Sequence, residues 1–322
     1  MNILVFGKDG QLGKAFKAVF DKRVGGQDRI HYVGRADCDL ANRDAIAALL
    51  NQSKPDLIIN AAAYTAVDKA ETEIGLAFAI NAKAPEIMAQ HAVANSASLL
   101  HYSTDYVFDG SKDGFYTEDD SRNPLGVYGK SKAAGEEAIE NAFANLPAKR
   151  QKQHQAQYAI FRTSWVYGDG GNFIRTILHF AKEREELRII SDQYGVPTSA
   201  EWLANLSLDF VLTENDQIKS FPSGIYHAVP SGQTTWHGLA TLAVEFAIEA
   251  GVSLKAKPAA IQAILASEYP LPAARPMNSR MATTRLQTLW KGDVDINKRT
   301  QLLEPWDDLV KGYVHQLIAS TR

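Results

Sequence analysis

Short apolar runs rich in β-branched residues alternate with longer segments of helical periodicity through the first two-thirds of the chain. The runs are continuously apolar, which predicts strands covered on both faces, and their alternation with helices predicts parallel crossover connections. The predicted strands cover residues 2–6, 30–33, 57–60, 98–103, 158–162 and 187–190, and the predicted helices cover 11–21, 42–52, 76–95, 128–143, 173–185 and 200–213. The pattern predicts an α/β fold built on a doubly wound parallel sheet.

The rhythm changes after residue 224. One more strand is predicted at 225–228 and a helix at 235–250, and then Pro258, Pro270, Pro272 and Pro276 fall in irregular chain. Proline at this density favours a loop-rich lobe over further sheet. We expect a sheet domain in residues 1–165, with a later return near 200–228. A smaller C-terminal lobe would come mainly from 166–199 and 229–322, on the carboxyl side of the sheet where open α/β folds bind ligands.

The composition is that of an ordinary globular protein, with 322 residues, 45% hydrophobic and 22% charged. A formal net charge of -3 offers no basic field for a polyanion, so nucleic acid is not expected as a partner. The first residues do not resemble a signal peptide and no apolar run approaches membrane-spanning length, which predicts a cytoplasmic protein. The lone Cys38 allows no intrachain disulfide. The polar segment 147–157 lacks periodicity and predicts an exposed, mobile loop.

A glycine-punctuated turn, Gly7 to Gly13, follows the first predicted strand and opens the next helix. Glycine lets the backbone turn tightly, and the free N–H groups of a helix N-terminus suit the pyrophosphate of a dinucleotide. A glycine triplet alone can be a plain strand-to-helix turn, but its place after the first strand of an α/β chain favours nucleotide binding. The cofactor-contacting residues expected here are Gly7, Gly10, Gln11, Leu12 and Gly13.

The second predicted strand ends at Arg35, where a dinucleotide site discriminates the adenosine ribose. An arginine pairs with a 2′-phosphate, whereas an acidic side chain accepts hydrogen bonds from a 2′-hydroxyl. Arg35 favours NADPH, with NADH as the alternative if Asp37 takes the acidic role. Asp39 and Leu40 would flank the adenine, unless Asp39 only caps the following helix. Ala61, Ala62 and Ala63 end the third strand and leave room for a flat cofactor beside the backbone.

Tyr128 and Lys132 are spaced at i and i+4, so they share one face of a helix. The ammonium group of Lys132 is expected to lower the pKa of Tyr128, which could then give a proton to a nascent alkoxide near neutral pH. A tyrosine and a lysine at this spacing are common by chance on protein surfaces. Here the pair follows Thr104, a hydroxyl at the end of the preceding strand, and the three together fit nicotinamide-dependent ketone chemistry.

At this point the chain resembles the extended short-chain dehydrogenase/reductase superfamily, whose catalytic Ser/Thr, Tyr and Lys match Thr104, Tyr128 and Lys132. Longer runs are similar to one family within it, dTDP-4-dehydrorhamnose reductase; they cover residues 60–71, 101–108, 161–167, 181–187, 192–198 and 278–280. The resemblance extends over nearly the whole chain. The segment 147–157 is longer than expected of that family.

The resemblance implies a Rossmann-like dinucleotide-binding domain, a substrate-binding lobe and a nucleotide-sugar substrate. The implied reaction is reduction of the C4 ketone of dTDP-4-dehydro-L-rhamnose by NAD(P)H to dTDP-L-rhamnose, a precursor of bacterial surface polysaccharide. On the family's pattern Tyr128 donates the proton, Lys132 holds the nicotinamide ribose and Thr104 hydrogen-bonds the sugar C4 oxygen. The other implied contacts are Thr65 to the cofactor and Asp105, Trp165 and Arg280 to the substrate, although Trp165 could serve packing alone.

The resemblance also introduces Mg²⁺, for which Glu183, Glu185 and Glu186 could supply oxygen ligands at a subunit contact of a homodimer. A solvated, charged helix end is the reading that this pattern favours, so no residue is assigned to a metal. Hydride transfer does not itself need a metal. None of the eight histidines has a metal-like spacing, and His101 and His227, at predicted strands, are expected to be satisfied core residues.

Two other functions fit the same superfamily. A redox-neutral epimerase or 4,6-dehydratase is one; the dehydratase is disfavoured because it needs a carboxylic acid two residues after the threonine, where this chain has Tyr106. The other is a non-catalytic regulatory subunit, since the family also resembles the regulatory β subunit of methionine adenosyltransferase. Pseudo-enzymes typically lose a catalytic side chain, whereas all three are present here.

Overall fold

The computed structural model describes residues 1–23, 29–144, 156–290 and 302–320. Its strands are β1 (Asn2–Phe6), β2 (Arg29–Val33), β3 (Leu57–Asn60), β4 (Ser98–Thr104), β5 (Gln157–Thr163), β6 (Val166–Tyr167), β7 (Leu187–Ile190), β8 (Tyr194–Gly195), β9 (Thr198–Ser199), β10 (Gly224–His227), β11 (Thr234–Thr235) and β12 (Ile261–Ile264). Its helices are α1 (Gln11–Arg23), α2 (Arg43–Ser53), α3 (Val67–Ala70), α4 (Ile74–Phe78), α5 (Ala84–Asn95), α6 (Val127–Ala144), α7 (Phe173–Glu183), α8 (Ala200–Val211), α9 (Trp236–Glu249), α10 (Thr284–Trp290) and α11 (Trp306–Ala319). Most of the segment 147–157, predicted as a mobile loop, lies outside the described residues.

The main sheet has six strands in the order β2-β1-β3-β4-β5-β10, and all of its pairs are parallel. The chain leaves β1 toward β2 and then crosses back to β3, so the winding reverses between β1 and β3. The predicted doubly wound, Rossmann-like sheet is confirmed. Ligands bind at such a reversal, outside the carboxyl ends of the strands.

Helices cover both faces of this sheet, as the continuously apolar strands predict. On one face α1 and α8 pack through residues such as Phe16, Phe20 and Leu203. On the other face α2, α5 and α6 pack through residues such as Ile46 and Met88. Every residue of β3 and β4 is buried, because the two layers of helices cover both faces of these central strands.

The helix predicted over residues 76–95 is interrupted. It consists of α4, a π-helical turn at Ala79–Lys83 and then α5, which carries Pro85 in its first turn. Proline has no N–H to donate, and in an α-helix its ring would clash with the carbonyl four residues earlier, which here belongs to Asn81. The wider π turn avoids that clash and leaves the Asn81 carbonyl facing α6.

The C-terminal lobe has a core of its own, formed by α7, α9 and α11 with residues of β7 and β12. The strand predicted at 187–190 is present as β7 but pairs with β12 instead of joining the main sheet, with Leu187 opposite Ile261. The expectation of irregular chain after Pro258 is therefore wrong for 261–264, where a short strand buries only Ile261 and Ile264. The helices α10 and α11 were also not predicted. Among the described residues, no helix is both long and apolar enough to cross a membrane.

Candidate active site

A cavity of about 850 Å³ lies at the carboxyl ends of the central strands and reaches the C-terminal lobe at Trp165 and Trp236. It collects residues from most of the segments that the sequence singled out. Of the predicted site residues, it is lined by Gly7, Gly10, Gln11, Leu12, Arg35, Asp39, Leu40, Ala61, Ala62, Ala63, Thr65, Thr104, Asp105, Tyr128, Lys132 and Trp165. Gly13 and Arg280 do not line it.

The glycine turn is shaped by contacts within the protein. Gly7 has a φ of +90°, and a Cβ there would lie 2.8 Å from the backbone carbon of Ala61. A Cβ on Gly13 would lie 2.0 Å from the carbonyl oxygen of Gly7, so the absence of a side chain at Gly13 allows α1 to pack against the end of β1. A Cβ on Gly10 would meet only the Gly7 carbonyl, at 3.4 Å. The strict need for glycine is therefore at Gly7 and Gly13.

The turn after β2 holds its acidic residue in an ion pair. The Asp37 carboxylate accepts the backbone N–H of Gly34 at 2.8 Å and the ammonium of Lys8 at 2.5 Å, both through Oδ2. These two hydrogen bonds hold the pKa of Asp37 below its usual value. Arg35 lines the cavity and has no ion-pair partner among the described residues. The Asn42 side chain caps α2 by accepting from Asp44 and Ala45, so the view of Asp39 as the cap is wrong.

The alanine wall after β3 is tied to the helix that carries Tyr128 and Lys132. Asn81, in the π turn, accepts the backbone N–H of Tyr64 at 2.8 Å and donates to the Tyr64 carbonyl at 3.0 Å. It also donates to the Ser131 hydroxyl at 3.0 Å, and Ser131 lies beside Lys132 in α6. One buried amide thus fixes the loop and the helix relative to each other.

Thr104, at the end of β4, and Tyr128, in the first turn of α6, meet at the centre of the cavity. The Thr104 hydroxyl donates to Asp105 Oδ1 at 2.7 Å, accepts the backbone N–H of Tyr106 at 3.2 Å and interacts with the Tyr128 hydroxyl. The rings of Tyr128 and Tyr106 pack edge to face with their centroids 5.4 Å apart. The three predicted residues Thr104, Tyr128 and Lys132 all line this one space.

Burial raises the pKa of Tyr128 well above its usual value, and the negative charge of Asp105 raises it further. The expectation that Lys132 lowers the tyrosine pKa is wrong for the groups that the protein itself supplies. The Lys132 ammonium donates to the Tyr102 carbonyl at 2.5 Å and lies 3.3 Å from His101 Nε2. Burial lowers the pKa of Lys132 to about 8, with Glu136 opposing that shift.

His101, expected to be a satisfied core residue, lies between Asn60 and Lys132. Its Nδ1 is 3.0 Å from the Asn60 amide, and burial together with the lysine charge holds its pKa well below the usual value. It is therefore a neutral neighbour of the lysine. One turn further along α6, Glu136 makes two hydrogen bonds to the buried Arg162 of β5, at 2.9 and 2.7 Å, which anchor the helix to the sheet.

Trp165 belongs to an aromatic wall on the lobe side of the cavity. Its ring stacks on Trp236 with centroids 3.7 Å apart, and Phe173 packs against Trp236 at 4.7 Å. Trp165 has a φ of +49°, a strained backbone for a large residue. A Cβ on Gly195 would come within 2.6 Å of the Trp165 ring, so that glycine makes room for it.

Arg280 lies behind this wall instead of in it. Its guanidinium donates to Asn278 Oδ1 at 2.7 Å and to Gln233 Oε1 at 3.2 Å, and it sits over the rings of Tyr194 and Phe115.

The carboxylates considered for Mg²⁺ do not converge. Glu183 lies 3.5 Å from His179 one turn earlier, and Glu186 accepts from Gln262. In the part of the chain that the structure describes, no three His, Cys, Asp or Glu side chains are grouped so as to hold a metal ion.

Three neighbours of the site were missed by the sequence reasoning. Lys8 was seen only as part of the glycine turn, Tyr106 only as a residue that disfavours a dehydratase, and Trp236 only as part of a predicted helix. No signal in the sequence pairs Lys8 with Asp37, because the contact depends on how two separate turns meet. The only feature of the sequence that could have indicated a site role for Trp236 is an aromatic side chain at the start of a predicted helix.

The chain matches the family model of the RmlD substrate binding domain over residues 1–303. It is 39% identical to a dTDP-4-dehydrorhamnose reductase of Shigella flexneri over 100% of this chain and 99% of that protein. Among solved structures, a dTDP-4-dehydrorhamnose reductase of Clostridium acetobutylicum superposes with a TM-score of 0.82 at 32% identity, covering 99% of this chain and 100% of that one. The enzyme of that name from Bacillus anthracis, in complex with NADP, superposes with a TM-score of 0.80 at 28% identity, covering 98% and 99%.

The parallel sheet, the glycine turn at its winding reversal and the Thr104, Tyr128 and Lys132 group define an extended short-chain dehydrogenase/reductase. The resemblance seen in the sequence is thereby confirmed. Within that superfamily, the chain belongs to the dTDP-4-dehydrorhamnose reductase family.

Proposed function

We propose that this protein reduces the C4 ketone of dTDP-4-dehydro-L-rhamnose to dTDP-L-rhamnose, with NADPH as hydride donor. The observation that carries the proposal is the convergence of Thr104, Tyr128 and Lys132 on a cavity that also includes the glycine turn. The relatives named for this reaction match the chain from end to end. The nicotinamide, when bound, supplies the hydride; the protein supplies orientation and the proton.

The residues divide the work along the cavity. The backbone N–H groups of Gln11 and Leu12, at the start of α1, would face the pyrophosphate. Gly7 and Gly10, whose own N–H groups donate to the carbonyls of Val33 and Gly7, would leave space for it. The alanine wall of Ala61, Ala62 and Ala63, followed by Thr65, would flank the cofactor. Tyr128 is fully protonated at neutral pH because its pKa is raised, so it is poised to give a proton to the developing C4 alkoxide. Lys132 would hold the nicotinamide ribose. On the lobe side, Trp165 and Asp105 would contact the nucleotide sugar, which is the basis for proposing residues 166–199 and 229–322 as the substrate-binding lobe.

The turn after β2 supports NADPH over NADH. A free carboxylate there would accept from a ribose 2′-hydroxyl and repel a 2′-phosphate. In this chain Oδ2 of Asp37 accepts hydrogen bonds from Gly34 and Lys8. Arg35 lines the cavity as a cation without an ion-pair partner among the described residues, and the carboxylates of Asp9 and Asp39 line the cavity as well. Lys8 therefore acts as a second determinant of the preference, by neutralising Asp37.

Cofactor titrations at one low salt concentration test this preference, since screening weakens exposed pairs. Arg35→Ala is expected to weaken NADPH binding by about 10- to 150-fold, the range for losing a hydrogen bond to a charged group, and to leave NADH binding nearly unaffected. Lys8→Met is expected to weaken NADPH and strengthen NADH by freeing Asp37. The matched control is Lys17→Ala, which removes an exposed helix ion pair with Asp21. Equal losses for both cofactors in Arg35→Ala would contradict the assignment.

The assembly and its location stay predictions of the sequence, namely a homodimer in the cytoplasm. Sedimentation velocity at micromolar protein concentration tests the homodimer directly, in one run with Mg²⁺ and in a second run with a chelator. A monomer in both runs would contradict the homodimer. Fractionation of cells that express the full chain tests the location.

A further inference from the structure

The hydrogen of the Thr104 hydroxyl is already donated in a hydrogen bond within the protein. Thr104 donates it to Asp105 Oδ1 at 2.7 Å, while its oxygen accepts the backbone N–H of Tyr106 at 3.2 Å. A ketone oxygen can only accept hydrogen bonds. Thr104 therefore has no hydrogen to offer the C4 oxygen of a sugar as long as the Asp105 carboxylate is ionised and takes that hydrogen.

The surroundings of Asp105 disfavour its ionised form. It is only 2% exposed, and its Oδ2 atom has no hydrogen-bond partner among the described residues. A buried carboxylate with an unpaired oxygen is costly, and protonation removes the cost. Burial raises the pKa of Asp105 to about 6, against hydrogen bonds from Ser279, Thr104 and backbone N–H groups.

Asp105 is also coupled to the proton donor. Its charge raises the pKa of Tyr128, whereas the Thr104 hydroxyl lowers it, so the three side chains form one hydrogen-bonded group. The titratable groups that face Asp105 are Tyr106, on its own turn, and Tyr128, on α6; Ser279 approaches from the lobe and does not titrate. Arg275 and Asp68 act on Tyr106 from the far side.

We propose that Asp105 stores a proton for the reaction and delivers it through Thr104 to Tyr128. With Asp105 protonated on Oδ1, the same 2.7 Å contact runs in the opposite direction, and the Thr104 hydrogen is free to turn toward the substrate oxygen or toward Tyr128. When Tyr128 gives its proton to the C4 alkoxide, its O–H bond breaks and the alcohol O–H bond forms. Thr104 then gives its proton to the Tyr128 phenolate and takes one from Asp105.

After these proton transfers Asp105 is ionised, Thr104 and Tyr128 are again protonated, and the product alcohol has formed. Asp105 regains its proton from water once product leaves. Asp105 acts here through Thr104, so its part is that of a positioning and proton-storing residue. The inference rests on the proposed reduction and adds a source for the second proton transfer. The Lys132 ammonium donates to the Tyr102 carbonyl at 2.5 Å.

The pH dependence has a definite sign. The active form carries a protonated Asp105, so kcat is expected to be constant at low pH and to fall as the pH rises through the pKa of Asp105. That pKa is about 6 for the protein by itself. Exclusion of water by bound ligands raises it further, because desolvation disfavours the charged form.

The test is the kcat profile between acidic and alkaline pH for wild type, Asp105→Asn and Ser279→Ala, with NADPH and dTDP-4-dehydro-L-rhamnose. Asparagine keeps the shape and can donate to Thr104, but it holds no transferable proton. Asp105→Asn is expected to lower kcat by about 100-fold, the lower end for a proton-transferring group, and to remove the fall with pH. Its KM for NADPH should not change. Ser279→Ala removes a hydrogen bond to the ionised form, so the fall in kcat should move to higher pH without loss of the acidic plateau.

Full kcat in Asp105→Asn would overturn the proposal, because orientation of Thr104 would then suffice. A higher KM for the sugar with an unchanged pH profile would also overturn it and leave Asp105 as a substrate contact only. If Asp105→Asn does not fold, an unmoved midpoint in Ser279→Ala decides against the relay and an upward shift decides for it. Absence of turnover in wild type would instead refute the proposed function, so the two failures are distinguishable.

Discussion

Tyr128 is a protonated acid rather than an activated phenolate when only the protein's own groups act on it. Burial raises its pKa, the charge of Asp105 raises it further whenever that carboxyl is ionised, and the ammonium of Lys132, one turn away, donates to the Tyr102 carbonyl. A raised pKa keeps the proton on the ring until negative charge develops on the substrate oxygen. The stage at which the proton moves is thus set by the alkoxide, whose basicity exceeds that of the phenolate.

Tyr128→Phe removes the transferable proton and little else. We expect kcat to fall by about 100- to 10,000-fold, the usual contribution of general acid catalysis, with the NADPH dissociation constant unchanged. Tyr32→Phe is the matched control, because the Tyr32 hydroxyl is buried, has no hydrogen-bond partner in the part of the chain that the structure describes and lies outside the cavity. A Tyr128→Phe protein with more than half the wild-type kcat, when chemistry limits the rate, would remove Tyr128 from this role.

The catalytic helix α6 is positioned by close backbone contacts. A Cβ on Gly129 would lie 2.2 Å from the Tyr106 carbonyl oxygen, and one on Gly135 would lie 2.1 Å from the Asn81 carbonyl oxygen in the π turn. The π turn and Gly135 therefore belong together, because the turn presents the Asn81 carbonyl where the helix has no side chain. Lys132 lies between these two contacts and Tyr128 immediately precedes the first, so the positions of both side chains depend on how closely α6 packs.

Gly135→Ala should push α6 away from the π turn. We expect a loss of about 1 to 3 kcal/mol in the free energy of unfolding, as for other overpacked sites, and a lower kcat with it. Gly312→Ala in α11 provides the control. A Cβ at this position would meet none of the described atoms within 4 Å, and alanine has a higher helix propensity than glycine. Denaturant titration of both variants gives the comparison; equal stability of the two would mean that α6 is not held by this contact.

The lobe is fastened over the sheet domain by a charged contact near the site. Arg275, in the proline-rich segment, makes two hydrogen bonds of 2.6 Å to the Asp68 carboxylate of α3, and the same carboxylate accepts the backbone N–H of Ala273 at 3.1 Å. Arg275 also interacts with the hydroxyl of Tyr106, which packs on Tyr128. The lobe and the catalytic group are therefore connected through one arginine.

Arg275→Ala should loosen this segment without unfolding the protein. We expect faster amide hydrogen exchange in residues 268–277, unchanged exchange in the remote pair β7 and β12, and a higher KM for the nucleotide sugar. Protonation of Asp68 should act in the same way. Its pKa is lowered chiefly by the hydrogen bond from Arg275, so the contact is present at neutral pH and is lost as the pH falls through that lowered value. Exchange in 268–277 that does not respond to the substitution would show that the ion pair carries none of this attachment.

Much of this arrangement could be predicted from the sequence, because periodicity and local chemistry determine it. The strands from β1 to β5, the helix with Tyr128 and Lys132, and Thr104 at a strand end all follow from patterns within a few residues. The departures are contacts between distant segments: β7 pairs with β12, Lys8 with Asp37, and Arg280 with Gln233. The direction in which the pKa of Tyr128 shifts also depends on burial, which the spacing of residues along a helix does not reveal.

The central claim is tested most directly by incubating the full chain with NADPH and dTDP-4-dehydro-L-rhamnose and measuring cofactor oxidation together with product identity. The account predicts one NADPH oxidised for each sugar converted and dTDP-L-rhamnose as the product, with no conversion in Tyr128→Phe on the same timescale. A sugar that is isomerised without net oxidation of NADPH, or no conversion by the wild-type protein, would contradict it.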